Sequence, residues 1–274
     1  MKKFKLYKVF VYLILCLVAF SCLVPFYWMC ISSFKYASDI FSVPIEWIPK
    51  RVTLMNYIKL FTDVPFLLYI ANSFKLTTII TIGQVFTSIL AAYAFARLRF
   101  PGRDKIFLAY LGTMMIPWHA IMIPQFDIIT KLGLYDTHTG LILLHLFAPF
   151  GVFLLRQYFL GIPMELSEAA RIDGCGELRI CYQIVTPLCK PALVTLIIFT
   201  FKNTWNDYLG PLIYLNTPAK YTVQIGLKRF IGEYGTDFGP ILAGSAISII
   251  PVLIIFIFGQ KYFVEGIAMS GIKG

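Results

Sequence analysis

The chain has 274 residues, 58% of them hydrophobic and only 14% charged, with a mean hydropathy of +0.76. Soluble domains carry about 25% charged residues, so this composition excludes a soluble globular protein and places the chain in a membrane. The formal net charge of +10 comes from basic residues scattered over loop ends, the distribution that membrane topology produces, and it excludes a nucleic-acid partner.

In chain order, apolar runs close to the roughly 20 residues needed to cross a bilayer occupy residues 9–31, 76–96, 106–126, 139–155 and 241–260. A further run begins at Pro191 and is interrupted by Lys202 and Asp207, which makes six expected spans. The first run is longer than the roughly 7 to 15 residues of a signal-peptide core, and no small-x-small cleavage site follows it. Phe20, two residues before Cys22, is too bulky for a lipoprotein site, so the run reads as an uncleaved first span. Lys2, Lys3, Lys5 and Lys8 precede it, and Arg97, Arg99, Arg103 and Lys105 separate the second and third spans. The positive-inside rule puts both segments in the cytoplasm, and an even number of spans returns the C-terminus there. Lys35, Lys50, Arg51 and Lys59 in the first external loop dilute that bias. Cys16, Cys22 and Cys30 in the first span, and Cys175, Cys181 and Cys189 further on, have neither disulfide-framework nor zinc spacing and read as packing residues.

Residues 161–190 are a polar, charged island between the fourth and fifth spans, and this topology makes them cytoplasmic. Pro163 suits a first helical turn and Gly174 a left-handed stop, with a helix of about eleven residues, roughly 16 Å, between them. Ile162, Leu166 and Ala169 recur along one face, expected to pack, and Glu165, Glu168 and Arg171 along another, expected to meet water. A second helical piece spans 177–185, with Leu178, Cys181 and Val185 at helical steps and Pro187 closing it. The island therefore reads as two short helices with a glycine bend.

The fifth span carries Lys202, Asn203, Trp205, Asn206 and Asp207, and ionisable groups within a span mark a functional site because lipid penalises them. Asn and Trp suit a sugar path, since amides match hydroxyls and an indole stacks on a pyranose face. Asp207 also fits a solvated helix end, and Trp205 an interfacial anchor. No metalloprotease, serine-hydrolase or Walker A motif is present, so no catalytic residue is assigned and any energy source is external. His138 and His145, about 10 Å apart along a helix, do not share a metal, and His119 beside Trp118 reads as packed or interfacial.

Glu168, Ala169 and Ala170, followed by Gly174, Ile184 and Pro187, resemble the "EAA" loop of permease subunits of binding-protein-dependent ABC importers, with Thr186 where the family prefers Leu. The resemblance to the carbohydrate, maltose-type branch extends over nearly the whole chain. Pro44, Trp47, Ile48, Pro49, Thr53, Leu54, Asn56 and Tyr57 match its first external segment, and Trp205, Asn206, Asp207, Pro211 and Leu212 its "WND…PL" segment. Tyr234, Gly235, Thr236, Asp237, Ala243 and Gly244 match the entry to the last span, and Gln260, Val264, Gly266, Gly271, Lys273 and Gly274 the ending. The resemblance implies an all-α permease fold of six transmembrane helices in a bacterial cytoplasmic membrane. It divides the chain into an N-terminal tail, first span and external loop (1–67), a five-span core (68–263) containing the coupling loop, and a cytosolic tail (264–274). It also implies a second, homologous permease subunit, two ATPase subunits that use ATP and Mg, an extracytoplasmic solute-binding protein and a carbohydrate substrate, with no cofactor held by this chain. ATPase docking falls to Glu168, Ala169, Ala170, Asp173, Gly174, Ile184 and Pro187, and the tail residues Gly271, Lys273 and Gly274 are expected to touch the ATPases. The same architecture importing glycerol phosphate or another polar solute is the alternative. A six-span secondary transporter competes more weakly, because it has no need of the elbow.

Overall fold

The computed structural model describes residues 2–232 and 235–271. Among the described residues, four helical stretches are long and apolar enough to cross a membrane, Tyr7–Ser32, Phe66–Arg97, His138–Leu160 and Phe238–Tyr262, and the number rises to six when each of two sharply bent helix pairs counts as one span. The expected third and fifth spans are those two pairs.

The chain divides into two compact units, Met1–Leu67 with Ile225–Ile250, and Leu68–Gln224 with Pro251–Gly274. In the first, α1 (Lys2–Ser32) has no buried residue in its apolar window, leaving most of that surface for lipid or another subunit. After it, α2 (Met55–Thr62) is locked to the chain by Asn56, whose amide donates to the Ser33 and Lys35 carbonyls at 2.8 Å each. The four basic residues of this stretch are all engaged. Lys35 is buried and donates to the Glu46 carbonyl, Lys50 pairs with Glu46 at 2.7 Å, Arg51 with Asp39 at 3.2 Å and Lys59 with Asp237 at 3.0 Å. Each has a local reason to be where it is, so they weigh little against the basic ends of the other loops.

The second unit contains most of α3 (Phe66–Arg97), then α4 (Arg103–Gly112), α5 (Trp118–Lys131), α6 (His138–His145) and α7 (Pro149–Leu160). Thr137 caps α6 by accepting the Gly140 N–H at 3.0 Å. The axis turns by 100° between α4 and α5, where Ile116 is extended because it precedes Pro117. Two short helices, α8 (Glu165–Ile172) and α9 (Glu177–Ile180), form the elbow. A π-helical turn at Cys181–Val185 leads to α10 (Thr186–Leu188), then α11 (Lys190–Trp205), α12 (Leu209–Tyr214) and α13 (Val223–Lys228), which passes into the first unit. A minimal hairpin of β1 (Ile231–Gly232) and β2 (Gly235–Thr236) precedes α14 (Phe238–Gly271).

Pro187 does not close the elbow's second limb. It lies within a helical turn, and the limb ends at Cys189, where the axis turns by 87°. A proline inside a helix lacks one N–H and its ring collides with the carbonyl four residues earlier; the wider π-helical turn that precedes Pro187 accommodates both defects. Pro191, in the first turn of α11, then restarts the helix.

Two apolar clusters lie within the second unit among the described residues. One joins Ile89, Ala92 and Tyr93 of α3, Phe107 of α4, Val152, Leu155 and Phe159 of α7, and Ala192 and Leu196 of α11 to Ala170, Ile180, Cys181 and Val185 of the elbow region. The other joins Leu76 of α3, Ile129 of α5, Leu141 of α6, and Tyr214 and Leu215 at the end of α12. Gly151 brings α7 close to α3, since a Cβ there would lie 2.4 Å from the Ser88 hydroxyl.

Candidate functional site

The elbow's first limb is shorter than the eleven residues expected. It forms eight helical residues, and the chain leading into it is held by Arg97, which is buried and donates to the carbonyls of Phe159 at 2.5 Å and Ile162 at 2.8 Å. Gly174 ends it as expected, at φ +81°, with the Cys175 N–H reaching the Ala170 carbonyl at 2.9 Å and the Gly174 N–H reaching that of Arg171 at 3.0 Å. That pair of bonds satisfies the last carbonyls of a helix through a left-handed residue. Arg171 pairs with Glu177 at 2.6 Å across the bend, and the Tyr93 hydroxyl donates to the same carboxylate at 2.5 Å. The elbow is thereby tied to α3.

The packed face differs from the expected one. Ser167 and Ala170 are buried, with Ile162 partly covered, whereas Leu166 and Ala169 face outward. Small residues allow the helix to lie close against its neighbours, and the larger apolar residues are turned out. Leu166 is 44% exposed, Ile172 87% and Leu178 68%, so the elbow presents an apolar tip beside exposed Glu165, Glu168 and Asp173. Among the other motif residues, Ala170 and Ile184 pack against the core, Gly174 makes the turn, and Pro187 is exposed. Ile172 and Leu178 fall outside the motif, and only their apolar character in a charged island signals them. Gly271 is the last residue of α14; Tyr234, Lys273 and Gly274 lie outside the described residues.

A second site opens further along the same span. A cleft of about 360 Å3 is lined by Gln84 of α3, Trp118 of α5, His145 of α6, Ala148, Phe150 of α7, and Phe199, Thr200, Asn203, Thr204 and Asp207 from α11 and its end. Of the polar residues expected in a path, Asn203 and Asp207 line it, while Lys202 is exposed elsewhere on the helix and Asn206 donates to the Lys202 carbonyl at 2.9 Å. Trp205 is 2% exposed, stacked on Phe201 at 5.9 Å and set edge-on to Phe74 at 6.3 Å. Gln84, His145, Thr200, Thr204 and Trp118 were not anticipated. Thr200, Asn203, Thr204 and Asp207 recur at three- and four-residue steps, a polar stripe on one face of α11 that the sequence did carry.

Outside the spans, Asp136 ties two loops together. It accepts the N–H groups of Asn216 at 2.9 Å and Thr217 at 3.0 Å, the Thr217 hydroxyl at 2.5 Å and the Lys220 ammonium at 2.9 Å. Burial would raise its carboxyl, but these hydrogen bonds together hold it well below the usual carboxylate range.

An all-helical membrane domain with a rigid amphipathic elbow between its spans defines a transport permease. The chain belongs to the family described as binding-protein-dependent transport system inner membrane component, whose model matches residues 84–268. It is 37% identical over 260 residues to the arabinooligosaccharides transport system permease protein AraQ of Halalkalibacterium halodurans, covering 94% of this chain and 93% of that one. It is 32% identical over 270 residues to the sn-glycerol-3-phosphate transport system permease protein UgpE of Yersinia pestis, covering 96% of each. A chain in the crystal structure of a bacterial ABC transporter involved in the import of the acidic polysaccharide alginate superposes with a TM-score of 0.83 at 26% identity, covering 94% of this chain and 97% of that one.

Proposed function

We propose that the chain is a permease subunit of an ATP-driven ABC importer, moving a sugar or oligosaccharide delivered by an extracytoplasmic solute-binding protein. The observation that carries this reading is the elbow, whose apolar tip of Leu166, Ala169, Ile172 and Leu178 is exposed on a helix pair tied to the span core by Arg97, Tyr93 and the Arg171–Glu177 pair. A rigid apolar knob with an acidic rim suits a crevice on another protein. Two ATPase subunits bind there and hydrolyse ATP with Mg, and this chain holds neither. A second, homologous permease completes the membrane unit. Both termini lie in the cytoplasm, with the basic ends of the loops on that side, and the C-terminal residues including Gly271, Lys273 and Gly274 touch the ATPases.

In the cycle, ATP closes the ATPase pair and draws the elbows together, the spans tilt to open outward, and hydrolysis resets them. The sugar reading draws support from the arabinooligosaccharide relative. Import of glycerol phosphate by the same architecture is the competing reading, on the strength of the glycerol-phosphate relative. A gentle detergent pull-down of the tagged protein from its native membrane tests the assignment. Recovery of a second permease, an ATPase and a binding protein is expected; recovery of this chain alone, transporting in liposomes without ATP, overturns it.

A further inference from the structure

The cleft at the end of α11 has a chemistry narrower than that of a generic polar path. Among the described residues its hydrogen-bonding groups are amides, hydroxyls, one imidazole and one carboxylate, and no lysine or arginine lines it. The Gln84 amide donates to the His145 carbonyl at 2.9 Å and accepts from Thr200 at 2.5 Å, so Gln84 is fixed in orientation. Asn203 is exposed, and its amide has no hydrogen-bond partner among the described residues. His145 Nδ1 lies 2.9 Å from the Leu141 carbonyl; a carbonyl only accepts, so Nδ1 carries a hydrogen. Its Nε2 faces Asp207 Oδ2 at 3.7 Å, too long for a hydrogen bond, which leaves both atoms with capacity for a ligand. Asp207 Oδ1 accepts the Gly210 N–H at 3.1 Å, which holds the carboxylate in place. Trp118, its indole N–H already paired with Gln125 at 3.0 Å, offers the cleft only its aromatic surface.

We propose that this cleft is a substrate-contacting subsite carried by this subunit, built for an uncharged polyhydroxylated solute and closed to anionic ones. The free Asn203 amide both donates and accepts, the Asp207 carboxylate accepts from one hydroxyl and His145 Nε2 engages a neighbouring one, so the three groups suit vicinal hydroxyls, and an aromatic surface beside them covers the C–H face of a sugar ring. A phosphate or uronate entering the cleft meets the fixed carboxylate of Asp207 and, among the described lining residues, no lysine or arginine to offset it. About 360 Å3 falls within the range of small-molecule sites, enough for a short stretch of a longer sugar chain at a time.

The inference rests on the importer reading, and its test separates the two. The complete complex is purified from native membranes, placed in lipid nanodiscs without binding protein, and titrated with radiolabelled arabinotriose and with trigalacturonate. Saturable binding of arabinotriose alone is expected. Asn203→Leu, at an exposed position that a folded chain tolerates, weakens it by about tenfold, the effect of one or two hydrogen bonds. Asp207→Asn narrows the gap between the two sugars. Equal binding of both, binding of neither, or arabinotriose binding indifferent to Asn203→Leu overturns the subsite. The importer reading stands or falls on different measurements, the ATPase content and ATP-driven uptake of the wild-type complex.

Discussion

Gly174→Ala isolates the elbow's bend from everything around it. Gly174 sits at φ +81°, and a Cβ built there has nothing within 4 Å, so the substitution strains the backbone and collides with no neighbour. A non-glycine residue held in the left-handed region costs about 1–2 kcal/mol, which disfavours the bent conformation roughly 5- to 30-fold relative to alternatives. Two residues on, Gly176 has φ −72° and ψ 157°, a conformation open to any residue, and its Cβ would also meet nothing within 4 Å. Gly176→Ala is therefore the matched control. In proteoliposomes holding the complete transporter, the Gly174→Ala complex assembles but imports less solute per ATP hydrolysed, while Gly176→Ala behaves as wild type. Gly174→Pro is worse, because proline requires φ near −65° and removes the N–H that reaches the Arg171 carbonyl. Wild-type coupling in Gly174→Ala, or equal damage from Gly176→Ala, refutes the argument that the left-handed turn sets the elbow's shape.

Ile172→Asp, at a side chain 87% exposed, leaves the chain's thermal stability unchanged and abolishes co-purification of the ATPase; retained ATPase shows that the apolar tip is not the docking surface. Gly151→Val forces a side chain into the space held by the Ser88 hydroxyl and Leu196, and lowers stability by about 1–3 kcal/mol in a thermal melt, whereas Gly161→Ala, whose Cβ meets only the Tyr158 carbonyl at 3.4 Å, is nearly neutral. Asp136→Asn loses stability with a defined pH dependence. The folded carboxyl is held below its unfolded value of about 3.9, so its contribution is fully present above that pH and disappears as pH falls through the folded value. The melting difference between wild type and Asp136→Asn is constant from pH 7 to about 5 and shrinks below about 4; a difference that grows on acidification contradicts the assignment.

The membrane spans and the elbow were legible because both depend on local pattern. Apolar length identified the spans, though not the bends within them, and Gly174 announced its own backbone angle. The elbow's buried face was not, because helical spacing shows which residues share a face and leaves open which face finds a partner. Ser167 and Ala170 won that place by size, a criterion a hydropathy pattern inverts. Pro187 misled for a related reason: a proline stops an ideal α-helix, but a π-helical turn upstream removes the collision, and nothing in the residues themselves announces that turn. The cleft was half visible. Asn203 and Asp207 stood out as polar residues in a span, but Gln84, Trp118 and His145 come from three other helices, and only the fold brings them there.

The breaks in the spans have a common logic. The chain passes from the elbow-linked cluster to the other one between α4 and α5, between α7 and α6, and between α11 and α12, and at each passage the helix is interrupted. Among the described residues, only α3 contributes to both clusters without a break, with Leu76 in one and Ile89 in the other, and Gln84 lies between those two positions. The cleft draws on both sides of this seam, taking Phe150 and Thr200 from helices of the elbow-linked cluster and Trp118 and His145 from helices of the other. From Ala192 to Leu209 the sequence has neither glycine nor proline, so α11 is a stiff arm of about 24 Å whose near end, Ala192 and Leu196, packs in the same cluster as the elbow's Ile180 and Val185. A tilt of about 10° at the elbow therefore displaces the far end of α11 by about 4 Å, comparable to the gap between His145 and Asp207. Packed clusters move as bodies because their interiors resist compression. If the elbow is the docking site proposed above, a pull on it is for that reason delivered at the seam, where the helices are already broken and where the cleft's hydrogen-bonding groups face one another.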